Sequence, residues 1–178
     1  MLRRALGDFT DLFLNSIVAH IPSWSIRKFL YKTVGQMSIG SGSRILMGCY
    51  VQGSKGISIG KHTYINRGCH IDGRGGVNIG NNCNISNYSV ILSATHDMES
   101  SSFRYRTGNV CIEDYCWLGT RAVVLDRSHL AQAVVVSAGS VLKGETEPDS
   151  VYMGIPAKKV KERHLNGPYD VVWKPYFI

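Results

Sequence analysis

Aliphatic residues recur every six positions through the middle of the chain. Ile39-Gly40, Ile59-Gly60 and Ile79-Gly80 stand at a constant interval, and the aliphatics between them fall at Ile39, Ile45, Val51, then Ile59, Ile65, Ile71, then Ile79, Ile85, Ile91. Two further sets follow, Ile112, Leu118, Val124 and Leu130, Val136, Leu142. The residue four places after each aliphatic is usually small, as at Ser43, Cys49, Thr63, Cys69, Cys83, Ser89, Cys116, Ala122 and Ser140, with Lys55 the exception. A period of six matches neither the 3.6 of a helix nor the 2 of a strand. It fits a hexapeptide β-helix, in which each hexad supplies one short strand and one corner and three hexads close a triangular coil. The expected fold is mainly β, a left-handed parallel β-helix. The first two coils are two residues longer than three hexads, which places the extra pair at a corner.

The pattern is interrupted between Ile91 and Ile112, so an excursion loop is expected over about 96–110. Such a loop on a rigid solenoid is a natural carrier of function. Ahead of the solenoid, Leu2, Leu6, Phe9, Phe13, Ile17 and Ile21 fall on one helical face. Pro22-Ser23 breaks that helix, and a second short one holds Ile26, Phe29 and Leu30. Two readings stand for residues 2–34. One is a cap over the first coil. The other is a peripheral membrane contact using Arg3, Arg4, Arg27, Lys28 and Lys32. After Leu142, Pro148 and Pro156 argue against a continued ladder. A short basic helix is expected near Ala157–His164, followed by an aromatic tail, Trp173 to Ile178. The chain therefore divides into a helical cap (1–35), the solenoid with its loop (36–146) and a basic and aromatic C-terminal segment (147–178), within one domain.

Composition narrows the function. The chain has 178 residues, 44% hydrophobic and 19% charged, with a net charge of +7. It lacks the aromatic-plus-basic cluster of an RNA binder, so nucleic acid is not expected as a partner. The five cysteines, Cys49, Cys69, Cys83, Cys111 and Cys116, form no CxxC pair, and four sit in the small slot of the repeat. They read as reduced, space-filling thiols, with neither a disulfide framework nor a metal site. Asp8, Asp11 and Asn15 interrupt any signal-like apolar run, and the expected location is the cytoplasm, including the inner face of the membrane.

The stretch YSVILSATHDMESSSFRYRTGNVCIEDYCWLGTRAVVL, together with VSAGSVLKGETEPDSVYMGIPAKKVKER, resembles the hexapeptide-repeat acetyltransferases of the sugar O-acetyltransferase type. The resemblance covers roughly residues 36–163. It implies a homotrimer that transfers acetyl from acetyl-CoA to a sugar hydroxyl in capsule, exopolysaccharide or O-antigen synthesis. His96 matches the family's general base, a role suited to an imidazole near neutral pH. A thioester is already activated, so no covalent intermediate is required. Asn66, Asp72, Asp97 and Tyr105 are the implied acceptor-side residues. Trp117, Gly119, Ala122, Ala138 and Gly139 are implied along the donor, and Lys143, Lys158, Lys159 and Arg163 at its phosphates. The stretch LDRSHLAQ departs from the family's LPGVTIG, so the corner there should differ. Zinc chemistry of the γ-carbonic anhydrase type on this fold needs two histidines five apart, and the six histidines offer no such pair. Two rivals stay open: N-acetylation of a nucleotide-linked amino sugar, and a non-enzymatic binding trimer.

Overall fold

The computed structural model describes residues 2–171, with side chains from residue 5 onward. Each hexad forms a rung, and successive coils stack as parallel strands into three sheets. Sheet A aligns Ile39, Ile59, Ile79, Ile112 and Leu130. Sheet B aligns Ile45, Ile65, Ile85, Leu118 and Val136. Sheet C aligns Val51, Ile71, Ile91, Val124 and Leu142. All fifteen point inward and are at most 5% exposed. Parallel pairing every coil places like on like, so the core is three aliphatic columns inside a three-sided parallel β-helix.

The small slot does more than save space. Ser43, Thr63 and Cys83 donate to the carbonyls of Gly60, Gly80 and Glu113 one coil on, and Cys49, Cys69 and Ser89 to those of Asn66, Ser86 and Gly119. These side chains are buried, and buried corner carbonyls need partners. At these six positions the small residue also supplies a donor, which Ala122 in the same slot does not.

Every insertion falls at one corner, where the chain passes from sheet C to sheet A. The first coil adds residues around the Ser54–Gly56 3-10 turn, and the second adds them within 73–76. The third inserts the expected excursion at the same corner. It is an ordered antiparallel hairpin, with Ala94–His96 paired to Tyr105–Thr107.

Two helices close the first coil, α1 (Leu2–Ser16) and α2 (Trp24–Thr33). Their orientation differs from the hydrophobic pattern. Leu14 and Val18 are buried, but Leu6, Phe9 and Ile17 of the predicted stripe are exposed. The reason is the open edge of the first coil, whose peptide groups have no preceding coil to pair with. Asn15 accepts from Val51 N–H at 2.8 Å and donates to its carbonyl at 2.7 Å, and Asp11 accepts from Gly53 N–H. The fully buried Arg27 donates to the carbonyl of Ile45, and Lys28 to that of Gly40. Each side of the open coil is thus met by a polar side chain, and Arg27 is withdrawn from any membrane contact.

At the other end, the basic helix expected near Ala157–His164 is absent. Ala157–Glu162 is a strand, antiparallel to Ser150–Gly154, which itself continues sheet B. The chain reverses around Gly154, at φ +104°, and the exposed edge of Ser150–Gly154 supplies the partner that a basic segment lacks by itself. The tail from Trp173 to Ile178 lies outside the described residues. Among the described residues, no helix is long and apolar enough to cross a membrane.

Candidate active site

His96 ends the first strand of the hairpin, opposite Tyr105. Ser93 clamps the hairpin base: its Oγ donates to the Asp72 carbonyl and accepts from Gly75 N–H, and its own carbonyl accepts from Gly108 N–H. The turn is ordered from within. Asp97 accepts from Arg104 at 2.8 Å and from Glu99 N–H, and its own N–H donates to the Arg104 carbonyl. The Arg104 guanidinium holds the Asp97 carboxyl below the usual carboxylate range. This turn brings the Phe103 carbonyl to 2.8 Å from His96 Nδ1, with the Phe103 ring stacked on the imidazole at 4.0 Å.

That contact assigns the tautomer. A carbonyl only accepts, so Nδ1 carries the proton and Nε2 offers its lone pair. Tyr105 sits edge-on to the imidazole at 5.7 Å, and Arg74 lies over the Tyr105 ring. Arg74 is held by two bonds to the fully buried Asp72, at 2.8 and 2.9 Å. Tyr105 therefore flanks His96 and Asp97 follows it in the turn, while Asp72 stands behind Tyr105 through Arg74. Asp97 serves the hairpin arginines, and the imidazole is oriented by main chain. Phe103 acts through its backbone, which its side-chain identity does not signal, and Arg74 follows from the insertion that lifts 73–76 toward the hairpin.

The donor-side residues gather elsewhere. A groove of about 640 Å³ runs along sheet B and its corner toward sheet C. Trp117, Gly119, Ala138 and Arg163 line it. Trp117 Nε1 donates to Ser86 Oγ at 3.0 Å, which sets the indole at the groove wall. A Cβ on Gly119 would meet Ala138 N at 2.5 Å, so glycine is what lets these coils close up there. Ala122 is fully buried behind the groove, and Gly139, at φ +70°, stands in open space.

The cations are divided. Arg163 lines the groove while donating to the carbonyls of Tyr115 and Ala133. Lys159 pairs with Glu147 and Glu162, Lys143 with Asp126, and Lys158 is exposed. Lys161, which the resemblance does not single out, lines the groove. Lys161, Glu162, Arg163 and His164 line the groove together where the strand ends. Asn66 lies on the groove's side of the prism, its amide bonded to Asn84 and the Ile85 carbonyl. His96, at the corner from sheet C to sheet A, does not line the groove. Within one chain the His96 hairpin and the groove are therefore separate. Among the described residues no cluster of side chains could hold a metal ion.

No family model matches the chain. A chloramphenicol acetyltransferase of Klebsiella aerogenes is 31% identical over 58 residues, which is 33% of this chain and 28% of that protein. The matched stretch thus spans little more than a quarter of that curated relative. Among solved structures, a hexapeptide-repeat acetyltransferase of Vibrio cholerae superposes with a TM-score of 0.82 at 22% identity, covering 91% of this chain and 93% of the other. Its complex with acetyl coenzyme A gives 0.78 at 23% identity, over 90% and 87% of the chains. AntD, an N-acyltransferase of Bacillus cereus crystallised with dTDP and 3-hydroxybutyryl-CoA, gives 0.67 at 22% identity, over 74% and 75%. At these identities the likeness is one of architecture, and the chain shares the hexapeptide-repeat β-helix of these acyltransferases.

Proposed function

We propose that the chain is an acetyl-CoA-dependent O-acetyltransferase that modifies a sugar hydroxyl in surface polysaccharide synthesis, and that it acts as a homotrimer. The observation that carries this reading is the fixed imidazole: Nδ1–H is committed to the Phe103 carbonyl, and Nε2 is free to take a proton at an exposed hairpin. Nε2 accepts the proton of the acceptor hydroxyl as its oxygen attacks the thioester carbonyl. The tetrahedral intermediate then expels the thiolate, which recovers that proton from the imidazolium. Tyr105 and Arg74 flank the acceptor position, and the phosphates of the donor fit the cations Lys161 and Arg163 at the end of a groove walled by Trp117.

Assembly is supported by the outer faces of the prism. Sheet A turns Ser38, Ser58, Asn78, Cys111 and His129 outward, a mostly polar face. Sheet C turns out a column of half-buried valines, Val90, Val123 and Val141, a face for another chain. A threefold arrangement would lay the hairpin of one chain along the groove of its neighbour and complete the site.

A second reading, N-acetylation of a nucleotide-linked amino sugar, is favoured by the likeness to AntD, one of whose complexes holds dTDP-4-amino-4,6-dideoxyglucose. One experiment separates the two. The protein is incubated with acetyl-CoA and a panel of hydroxyl and amino sugars, CoA release is followed, and products are weighed before and after mild alkali. An alkali-labile ester is expected. An amide alone would move the assignment to the second reading, and no CoA release with any acceptor would remove both.

A further inference from the structure

Helix α1 is bound to the solenoid by its polar side. Asp11 and Asn15 are bonded to Gly53 and Val51, and Leu14 is buried beside them. This leaves Leu6, Phe9 and Leu12 outward, 58%, 67% and 62% exposed. Helix α2 repeats the arrangement, burying Arg27 and Tyr31 while leaving Ile26 and Phe29 outward at 51% and 64%. Leu6 and Val34 line one cleft at the edge of the two helices. Exposed large apolar side chains gathered on two neighbouring terminal helices mark a contact surface. We propose that the outward face of α1 and α2 docks the protein on an anionic lipid surface.

Charge decides between lipid and a second copy. With Arg27 buried against the first coil, the first 34 residues still carry Arg3, Arg4, Lys28 and Lys32 against Asp8 and Asp11. Asp11 is committed to Gly53, and Lys32 stands exposed beside Phe29 on α2. Pairing two such faces would bring like charges together, whereas acidic headgroups attract them. Apolar residues flanked by lysine on helices too short to span are the arrangement of an interfacial helix lying in the plane of the bilayer. The solenoid, seated on the polar side of α1, then stands above the membrane.

The test is cosedimentation of the full chain with sucrose-loaded vesicles, of phosphatidylcholine alone or with about one-third phosphatidylglycerol, at low and high salt. The chain is expected in the pellet with the anionic vesicles, and to be released by salt. Phe9→Asp/Phe29→Asp and, separately, Lys32→Glu are expected to weaken binding about tenfold or more, with melting temperature unchanged because these side chains are exposed. A chain that stays in the supernatant with anionic vesicles overturns the proposal. So does a double variant that pellets like the parent, and so does a change in the oligomeric state of either variant, which would assign the face to a second copy.

Discussion

Replacing His96 with Asn separates the base from its support. The Asn amide can still donate to the Phe103 carbonyl, which now takes Nδ1–H at 2.8 Å, but it offers no basic nitrogen where Nε2 stands. Positioned general bases contribute about 10²–10⁴-fold, so kcat should fall by that factor, equivalent to about 3–5 kcal/mol of barrier. The Michaelis constant for acetyl-CoA should hold, because the groove residues proposed for the donor, Trp117, Lys161 and Arg163, are untouched. The structural loss is the stack on Phe103, about 0.5–1.5 kcal/mol for an aromatic pair. It arises in a hairpin outside the three core columns, so Tm should drop by about 6 °C at most. The assay is continuous detection of CoA thiol with a saturating acceptor, alongside thermal melting of both proteins. A variant whose kcat stays within about threefold of the parent, with its melt intact, would refute the role of Nε2 in proton transfer.

Other consequences follow from the same contacts. Thr63→Val keeps the shape of a buried side chain but strips the Gly80 carbonyl and Cys83 N–H of their partner, and should cost about 1–3 kcal/mol per orphaned group in urea unfolding. Asn15→Leu leaves the Val51 peptide groups unpaired at the edge of the first coil, and a lower urea midpoint is expected, by about 1–3 kcal/mol. The Asp97 carboxyl, held down chiefly by Arg104, should titrate below the ordinary carboxylate value in carbon-detected NMR and move up toward it in Arg104→Ala. Its contribution to hairpin order is then complete above the ordinary value and lost as pH falls through the lowered one. Cys111 is the partly exposed thiol among the five and should label first with iodoacetamide, slowly at neutral pH because burial raises its pKa; faster labelling of Cys69 or Cys116 would contradict the packing.

Much of the fold was legible because a β-helix writes its core as a one-dimensional repeat. Ile39, Ile59 and Ile79 stack in register, so counting sixes was already counting rungs. Counting also finds the corner that takes every insertion. The ends were harder, since a terminal coil answers to unpaired peptide groups. Asn15 bonds both polar groups of Val51, and this demand outweighs the pattern of Leu6, Phe9 and Ile17 that would have turned α1 the other way. Ala157–Glu162 likewise became a strand because Ser150–Gly154 offered an edge, a nonlocal fact that the local run AKKVKE does not carry.

The candidate site shows the same division between local and nonlocal information. His96 stands out in sequence because it sits where the repeat breaks, and a break in a rigid solenoid is visible by counting. What orients it is a backbone carbonyl that reaches it only because Asp97, Glu99 and Arg104 fold the turn, and no residue type announces that role. The groove residues were nominated by motif, and Trp117, Gly119, Ala138 and Arg163 share a cleft because equivalent positions of successive coils superpose. Lys161 lines the groove although the resemblance implies Lys158, Lys159 and Arg163 from the same segment. The separation of His96 from that cleft is itself informative. If His96 is the base and the groove takes the donor, as proposed, one chain holds an incomplete site, and the valines turned outward on the sheet between the two corners are the surface on which the proposed trimer would bring in a neighbour.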